Sequence, residues 1–195
     1  MNRLKLTVGL VCLLVMGVGA QGPDRKAAID AQIKAATADF KGKVWLHAKN
    51  LDTGAEFSLR GDEQVRTAST IKVPIMAEVY RQVAGGKIAW TDEFTVETGK
   101  TSGGSGILRE FSDGSKVDLK TAMHLMIVLS DNTATNLILD KITLTSVNEY
   151  MKKLGLNDTL SLRRIGGGGD AKEWDEPVNK TFGIGRSSPR DMVRL

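Results

Sequence analysis

The chain has 195 residues, of which 41% are hydrophobic and 26% charged, with a formal net charge of +4. Such a length and balance suit a globular domain able to bury a core, and they exclude a fibre or a wholly disordered chain. The charge is too small to argue for a nucleic-acid partner, and it falls to +2 once Arg3 and Lys5 are set aside with the leader described next.

Residues 1–20, MNRLKLTVGLVCLLVMGVGA, combine a basic start, an apolar run from Leu6 to Val18 and a small-residue end. This is the pattern of a secretory signal peptide cut before Gln21, so a secreted or periplasmic domain over 21–195 is expected. The apolar run is shorter than the ~20 residues that span a bilayer, and no membrane anchor is expected after cleavage. Cys12 is the only cysteine and lies in this leader, which excludes disulfides and a thiol nucleophile from the mature chain.

Ile29, Ile33, Ala36 and Phe40 recur at helical spacing, with Gly42 as a stop, and predict a first helix. KVWLHAKN and EFSLR, joined by the turn residues LDTGA, predict a β-hairpin with Val44, Leu46 and Ala48 on one side. In STIKVPIMAEVYRQVAGG, Pro74 is tolerable only within the first turn or so of a helix, which puts Ser69 close to that helix's N-terminus. TGKTSGGSG ends like a phosphate-binding loop, but Phe94 stands where the first glycine is required, and a glycine-rich surface loop is expected instead. VDLKTAMHLMIVLS is apolar on nearly every face, as for a helix buried in the middle of a domain, and runs into Ser130-Asp131-Asn132. His47 and His124 are far apart and in no H-E-x-x-H pattern, so both read as structural residues and no metal site or cofactor is expected.

Two segments carry chemistry. Ser69 and Lys72 are three residues apart, so on a helix both side chains share one face, one turn apart, where a hydroxyl and an amine can share a proton. Ser130, Asp131 and Asn132 end a strongly apolar helix, where polar side chains need partners; taken alone they read equally well as a helix terminus bonding nearby backbone. S-x-x-K followed by S-D-N is the pairing found in class A β-lactamases and penicillin-binding proteins.

On these motifs, and on the order helix, hairpin, serine helix, buried helix, SDNTATNLIL and TLTSVNEYMKKLGL, the chain resembles the class A β-lactamase family from about Pro23 to Arg164, and again at GRSSPRDMVRL. The resemblance implies an α+β fold, an antiparallel sheet flanked by helices. It implies Ser69 as the nucleophile that forms an acyl-enzyme, with its own N–H as one oxyanion donor. Lys72 would take the serine's proton if neutral, or orient a water and another base if charged. Ser130 would relay a proton to the leaving nitrogen, and Asn132 would bind the substrate's amide and hold Lys72.

The chain departs from the family pattern in two places. The family's K-T-G strand, which gives the second oxyanion donor, has no counterpart before Leu195, so a domain truncated at its C-terminus, lacking the last strands and closing helix, is expected. The family's deacylating glutamate lies in a Trp-Glu-Pro-x-x-Asn-like stretch, whereas here Trp174-Asp175-Glu176-Pro177-Val178-Asn179 follows the glycines of IGGGGDAKE. Aligning on Glu-Pro selects Glu176, and counting back from Asn179 selects Asp175; a solvated acidic loop with no base is the third reading. A β-lactam-hydrolysing enzyme is therefore expected first, acting as a monomer on a small-molecule β-lactam. A D-alanyl-D-alanine peptidase or other penicillin-binding acyl hydrolase acting on a peptidoglycan peptide comes second, and an inactive remnant third.

Overall fold

The computed structural model describes residues 23–168 and 171–195; the expected leader, and Gly169 of the glycine run, lie outside the described residues. The chain divides into two units, Met1–Gly42 and Lys43–Leu195. In the first, helix α1 spans Pro23–Thr37. It stops short of Phe40, which the periodicity included: beyond Thr37 the amides of Ala38 and Phe40 bond the carbonyls three residues back, Ala35 at 3.3 Å and Thr37 at 3.2 Å, so the last turn tightens and the α-helix ends.

The second unit begins with the expected hairpin. Strands β1 (Leu46–Lys49) and β2 (Glu56–Leu59) pair antiparallel with Leu46 opposite Leu59. The turn forms because Asn50 Oδ1 accepts the amides of Asp52 and Thr53 at 3.0 and 2.9 Å, an Asx turn. The buried side of β1 is that of His47, not of Leu46 and Ala48, since Ala48 is exposed.

β3 (Val65–Arg66) precedes a 3-10 turn, Ala68–Ile71, and helix α2 (Lys72–Ala84), in which Pro74 does lie in the first turn. β4 (Glu93–Thr95) pairs antiparallel with β5 (Lys116–Asp118). Helices α3 (Leu119–Val128), α4 (Asn132–Ile142) and α5 (Leu144–Lys153) follow in quick succession. Each has a side-chain N-cap: Asp118 accepts from Thr121, Asp131 from Ala134 and Thr143 from Ser146. β6 (Leu160–Ser161), helix α6 (Glu176–Phe182), β7 (Gly185–Ser187) and helix α7 (Pro189–Arg194) complete the described order. β7 lies between β3 and β6 in an antiparallel sheet, so the serine turn and the loop from β6 to β7 share one scaffold.

The core of this unit sits among α2 to α5. Ile71, Ile75 and Val79 recur every fourth residue and meet Met123 and Met126 of α3, Ile138 and Leu139 of α4 and Val147 of α5. α3 is buried on that side only: Ile127 and Val128 are exposed, so an all-round apolar sequence did not mean all-round burial. Glu78 is fully buried on α2, and although burial opposes its charge, Arg81 at 2.6 and 2.7 Å and Gln82 at 2.7 Å hold its carboxyl below the ordinary range. Among the described residues no helix is long and apolar enough to cross a membrane.

Candidate active site

The serine turn is fixed by the strand it touches. Thr67 N–H donates to Gly185 O of β7 at 3.1 Å, and a Cβ on Gly185 would fall 2.7 Å from the Ile71 side chain and 2.9 Å from Thr67 Oγ1. Only glycine lets β7 approach the turn this closely. Ala68, just before the serine, has φ +46°, a left-handed conformation unfavourable for alanine that the surrounding contacts must maintain. Ser69 itself is exposed, and its carbonyl accepts from Lys72 N–H, which sets the two side chains one turn apart.

Lys72 is 2% exposed. Its Nζ donates to Ser130 O at 2.6 Å, Ser130 Oγ at 2.9 Å and Asn132 Oδ1 at 2.9 Å, and none of the three bonds goes to Ser69. Burial drives its pKa down to about 8, against the opposing charge of Asp131. Two of its partners are carbonyl-type oxygens that only accept; the Ser130 hydroxyl can also donate. When the ammonium loses a proton, Ser130 is therefore the partner able to turn its hydrogen toward Nζ.

Ser130 and Asn132 are held there by Asp131 and the glycine-rich loop. Asp131 caps α4 through Oδ1, and its Oδ2 accepts the amides of Ile107 and Leu108 at 2.7 and 2.8 Å. A Cβ on Gly106 would collide with the Asp131 carboxyl group, so this approach too needs glycine. Asn132 N–H donates to Ser105 O at 3.0 Å and its Nδ2 to Gly103 O at 2.8 Å. The stretch expected as a plain surface loop is thus exposed over much of its length yet bonded to the residue beside Lys72. Ser130 takes φ +53°, the sharp bend that ends α3 and starts α4.

The loop between β6 and β7 is tied to α4 at several points. Asn136, 4% exposed, accepts Ile165 N–H at 3.0 Å and donates to Ile165 O at 2.8 Å and Ser102 Oγ at 2.7 Å. Arg164 pairs with Asp140 at 3.1 Å, and Arg163 bonds Asn179 Oδ1 at 3.0 Å while lying over the Trp174 ring. Asp175 is the N-cap of α6, accepting Val178 N–H at 2.7 Å; Glu176 is the exposed first residue of that helix. Among the described residues, hydrogen bonds join Lys72, Ser130 and Asn132, with Ser69 one turn away, and no bond or ion pair links Glu176 to that cluster.

Asn136, Gly106 and Gly185 were not singled out from the sequence, and Asp131 was named there only as part of Ser130-Asp131-Asn132, without the anchoring task it has here. Asn136 had a legible signal: in SDNTATN it follows Asn132 by one helical turn, a second amide on the same face of an otherwise core-forming helix. The glycines had none, because their partners are distant in the chain. Among the described residues no group of three His, Cys, Asp or Glu side chains is placed to hold a metal.

Residues 28–195 match the beta-lactamase enzyme family. Among curated proteins, the chain is 27% identical over 150 residues to beta-lactamase SME-1 of Serratia marcescens, covering 76% of this chain and 50% of that one. It is 29% identical over 112 residues to beta-lactamase BRO-1 of Moraxella catarrhalis, covering 56% and 36%. Among solved structures, a beta-lactamase from Sphaerobacter thermophilus superposes with a TM-score of 0.70 at 32% identity, over 85% of this chain and 58% of that one. A point mutant of PBP-A, solved as an acyl-enzyme complex with penicillin G, gives 0.73 at 28% identity, over 87% and 60%. The chain thus spans half or less of these curated relatives' length and about three fifths of these structures. With the mixed α+β fold these structures share, and a match running from α1 to the end of the chain, the protein belongs to the beta-lactamase enzyme family.

Proposed function

We propose that the protein is a serine acyl hydrolase that opens the amide bond of β-lactams through an acyl-enzyme on Ser69. The observation that carries this reading is the buried Lys72 ammonium, its pKa lowered to about 8, bonded to both Ser130 and Asn132 one turn from an exposed serine. A weakly acidic hydroxyl needs such a base to attack.

In the proposed reaction, Lys72 in its neutral form takes the Ser69 proton as Oγ bonds to the lactam carbonyl carbon. The oxyanion is met by Ser69 N–H; among the described residues no K-T-G strand supplies a second donor. As the C–N bond breaks, Ser130 Oγ gives its proton to the nitrogen and regains one from Lys72 along the 2.9 Å contact. Asn132 holds Lys72 and offers its amide to the substrate. Glu176 then takes a proton from the water that attacks the ester, which returns the proton to Ser69 and releases the opened acid. Asp175 is less suited, since its Oδ1 is occupied in capping α6.

A second reading, a D-alanyl-D-alanine peptidase or slowly turning over penicillin-binding hydrolase, is favoured by one observation: Glu176 is exposed and unbonded to the lysine cluster. The signal-like residues 1–20 favour action in the periplasm or outside the cell, where β-lactams and peptidoglycan are met. Incubation with labelled penicillin and peptide mass mapping tests the common step. The adduct should fall on the peptide containing TASTIK and vanish in Ser69→Ala; an adduct elsewhere contradicts the assignment.

A further inference from the structure

A second asparagine holds the β6–β7 loop in the way Asn136 does, from the next helix along. Asn148 of α5 is 5% exposed. Its Oδ1 accepts Ser161 N–H at 2.7 Å and its Nδ2 donates to Ser161 O at 3.0 Å, so the carboxamide pairs with the end of β6 like a neighbouring strand. The same Nδ2 lies 3.5 Å from Glu173 Oε2. Its two hydrogens are thereby shared between the chain going into the loop and the chain coming back.

We propose that Asn148 is a positioning residue for Glu176, joining the strand that leads into the loop at Ser161 to the segment that returns at Glu173. The proposal rests on reading Glu176 as the base that clears the acyl-enzyme. Glu173 precedes the helix cap Asp175 by two residues and Glu176 by three, so its anchorage bears on the first turn of α6, whose later residues are held by Arg163 on Asn179 and by Arg66 on the carbonyls of Lys180 and Thr181. Beside it a cleft of about 240 Å³, lined by Asn148, Lys152, Leu160, Lys172 and Glu173 among others, opens between α5 and the loop. Ala171 of the returning segment packs into the core, but on the cleft side the loop meets α5 through polar contacts, and those of Asn148 are central among them. Aspartate at this position would offer no donor and would put a second carboxylate beside Glu173.

Three variants and two readouts test the proposal: Asn148→Ala, Glu173→Ala and Glu173→Gln, each followed by amide hydrogen exchange and by the lifetime of a penicillin adduct on Ser69. Glu173→Ala should speed exchange over Trp174 to Asn179 while Ser161 stays protected; Asn148→Ala should speed both; Glu173→Gln, which keeps an acceptor, should resemble the wild type. Misplacing a base by on the order of 1 Å costs up to about 10²-fold, so both alanine variants should lengthen the adduct's lifetime about tenfold while leaving its formation within about twofold. Glu173 is half-buried, so Glu173→Ala decides the matter if Asn148→Ala does not fold. Unchanged exchange over Trp174 to Asn179 in Glu173→Ala, or identical behaviour of Glu173→Ala and Glu173→Gln, overturns the proposal. Glu176→Gln, run alongside, separates the failures. If it lengthens the adduct's lifetime and the alanine variants do not, Asn148 does not position Glu176. If it has no effect, Glu176 is not the base, and a proposal made for that base falls with it.

Discussion

The lysine cluster and the β6–β7 loop are built in opposite ways. Lys72 is buried and saturated by three short contacts, and its partners are pinned by Asp131, whose carboxylate binds three backbone amides. Glu176 sits exposed at the start of a seven-residue helix, downstream of Gly166, Gly167 and Gly168, which all have positive φ. On the proposed reaction, the half that forms the acyl-enzyme is preorganised, while the half that clears it depends on a few side-chain clamps. Substitutions in the first region should stop chemistry; those in the second should change how long the adduct lives.

The largest effect is expected at the cluster. Lys72→Arg keeps a charge but cannot supply a neutral amine, so penicillin acylation should slow by roughly 10²–10⁴ with the fold intact. Wild-type acylation rates in stopped-flow measurements would make Lys72 a structural residue. In the loop, Glu176→Gln should leave acylation measurable and make the adduct accumulate, as followed by intact mass, because an amide cannot take a proton from water. Asp175→Asn should change the adduct's lifetime little, since asparagine caps helices about as well as aspartate; the reverse pattern moves the base to Asp175. The smallest chemical effect is expected where the two regions meet the same strand. Gly185→Ala would press on Ile71 and Thr67 and should lower stability by about 1–3 kcal/mol in urea unfolding. Unaltered stability would mean that β7 does not set the serine turn.

The parts legible in the sequence were those governed by local pattern. The Ser69–Lys72 spacing and Pro74 in the first turn of α2 followed from helical geometry, and the end of the apolar helix at Ser130-Asp131-Asn132 from the change to polar residues, though not the left-handed bend at Ser130. The first helix was placed but its end was not, because the amides after Thr37 turn to carbonyls three residues back before the apolar period runs out. His47 was read as structural, yet its burial in place of Ala48 depends on which face of β1 is covered, and alternation cannot tell. Gly106 and Gly185 escaped notice because close backbone approach is a property of two distant segments. Whether Glu176, Asp175 or neither is the base was undecidable by counting; the structure adds that Asp175 Oδ1 caps α6 on Val178 N–H.

If the buried Lys72 amine is the base for Ser69, as proposed, the pH dependence of acylation must follow its titration. Burial lowers the Lys72 pKa to about 8, so the amine is protonated below that pH and neutral above it. The rate of penicillin acylation at Ser69 should therefore rise with pH through about 8 and level off above it, and this inflection should be absent in Lys72→Arg. A rate that is flat across that range in the wild-type protein, or an inflection near 8 that survives Lys72→Arg, would contradict the claim.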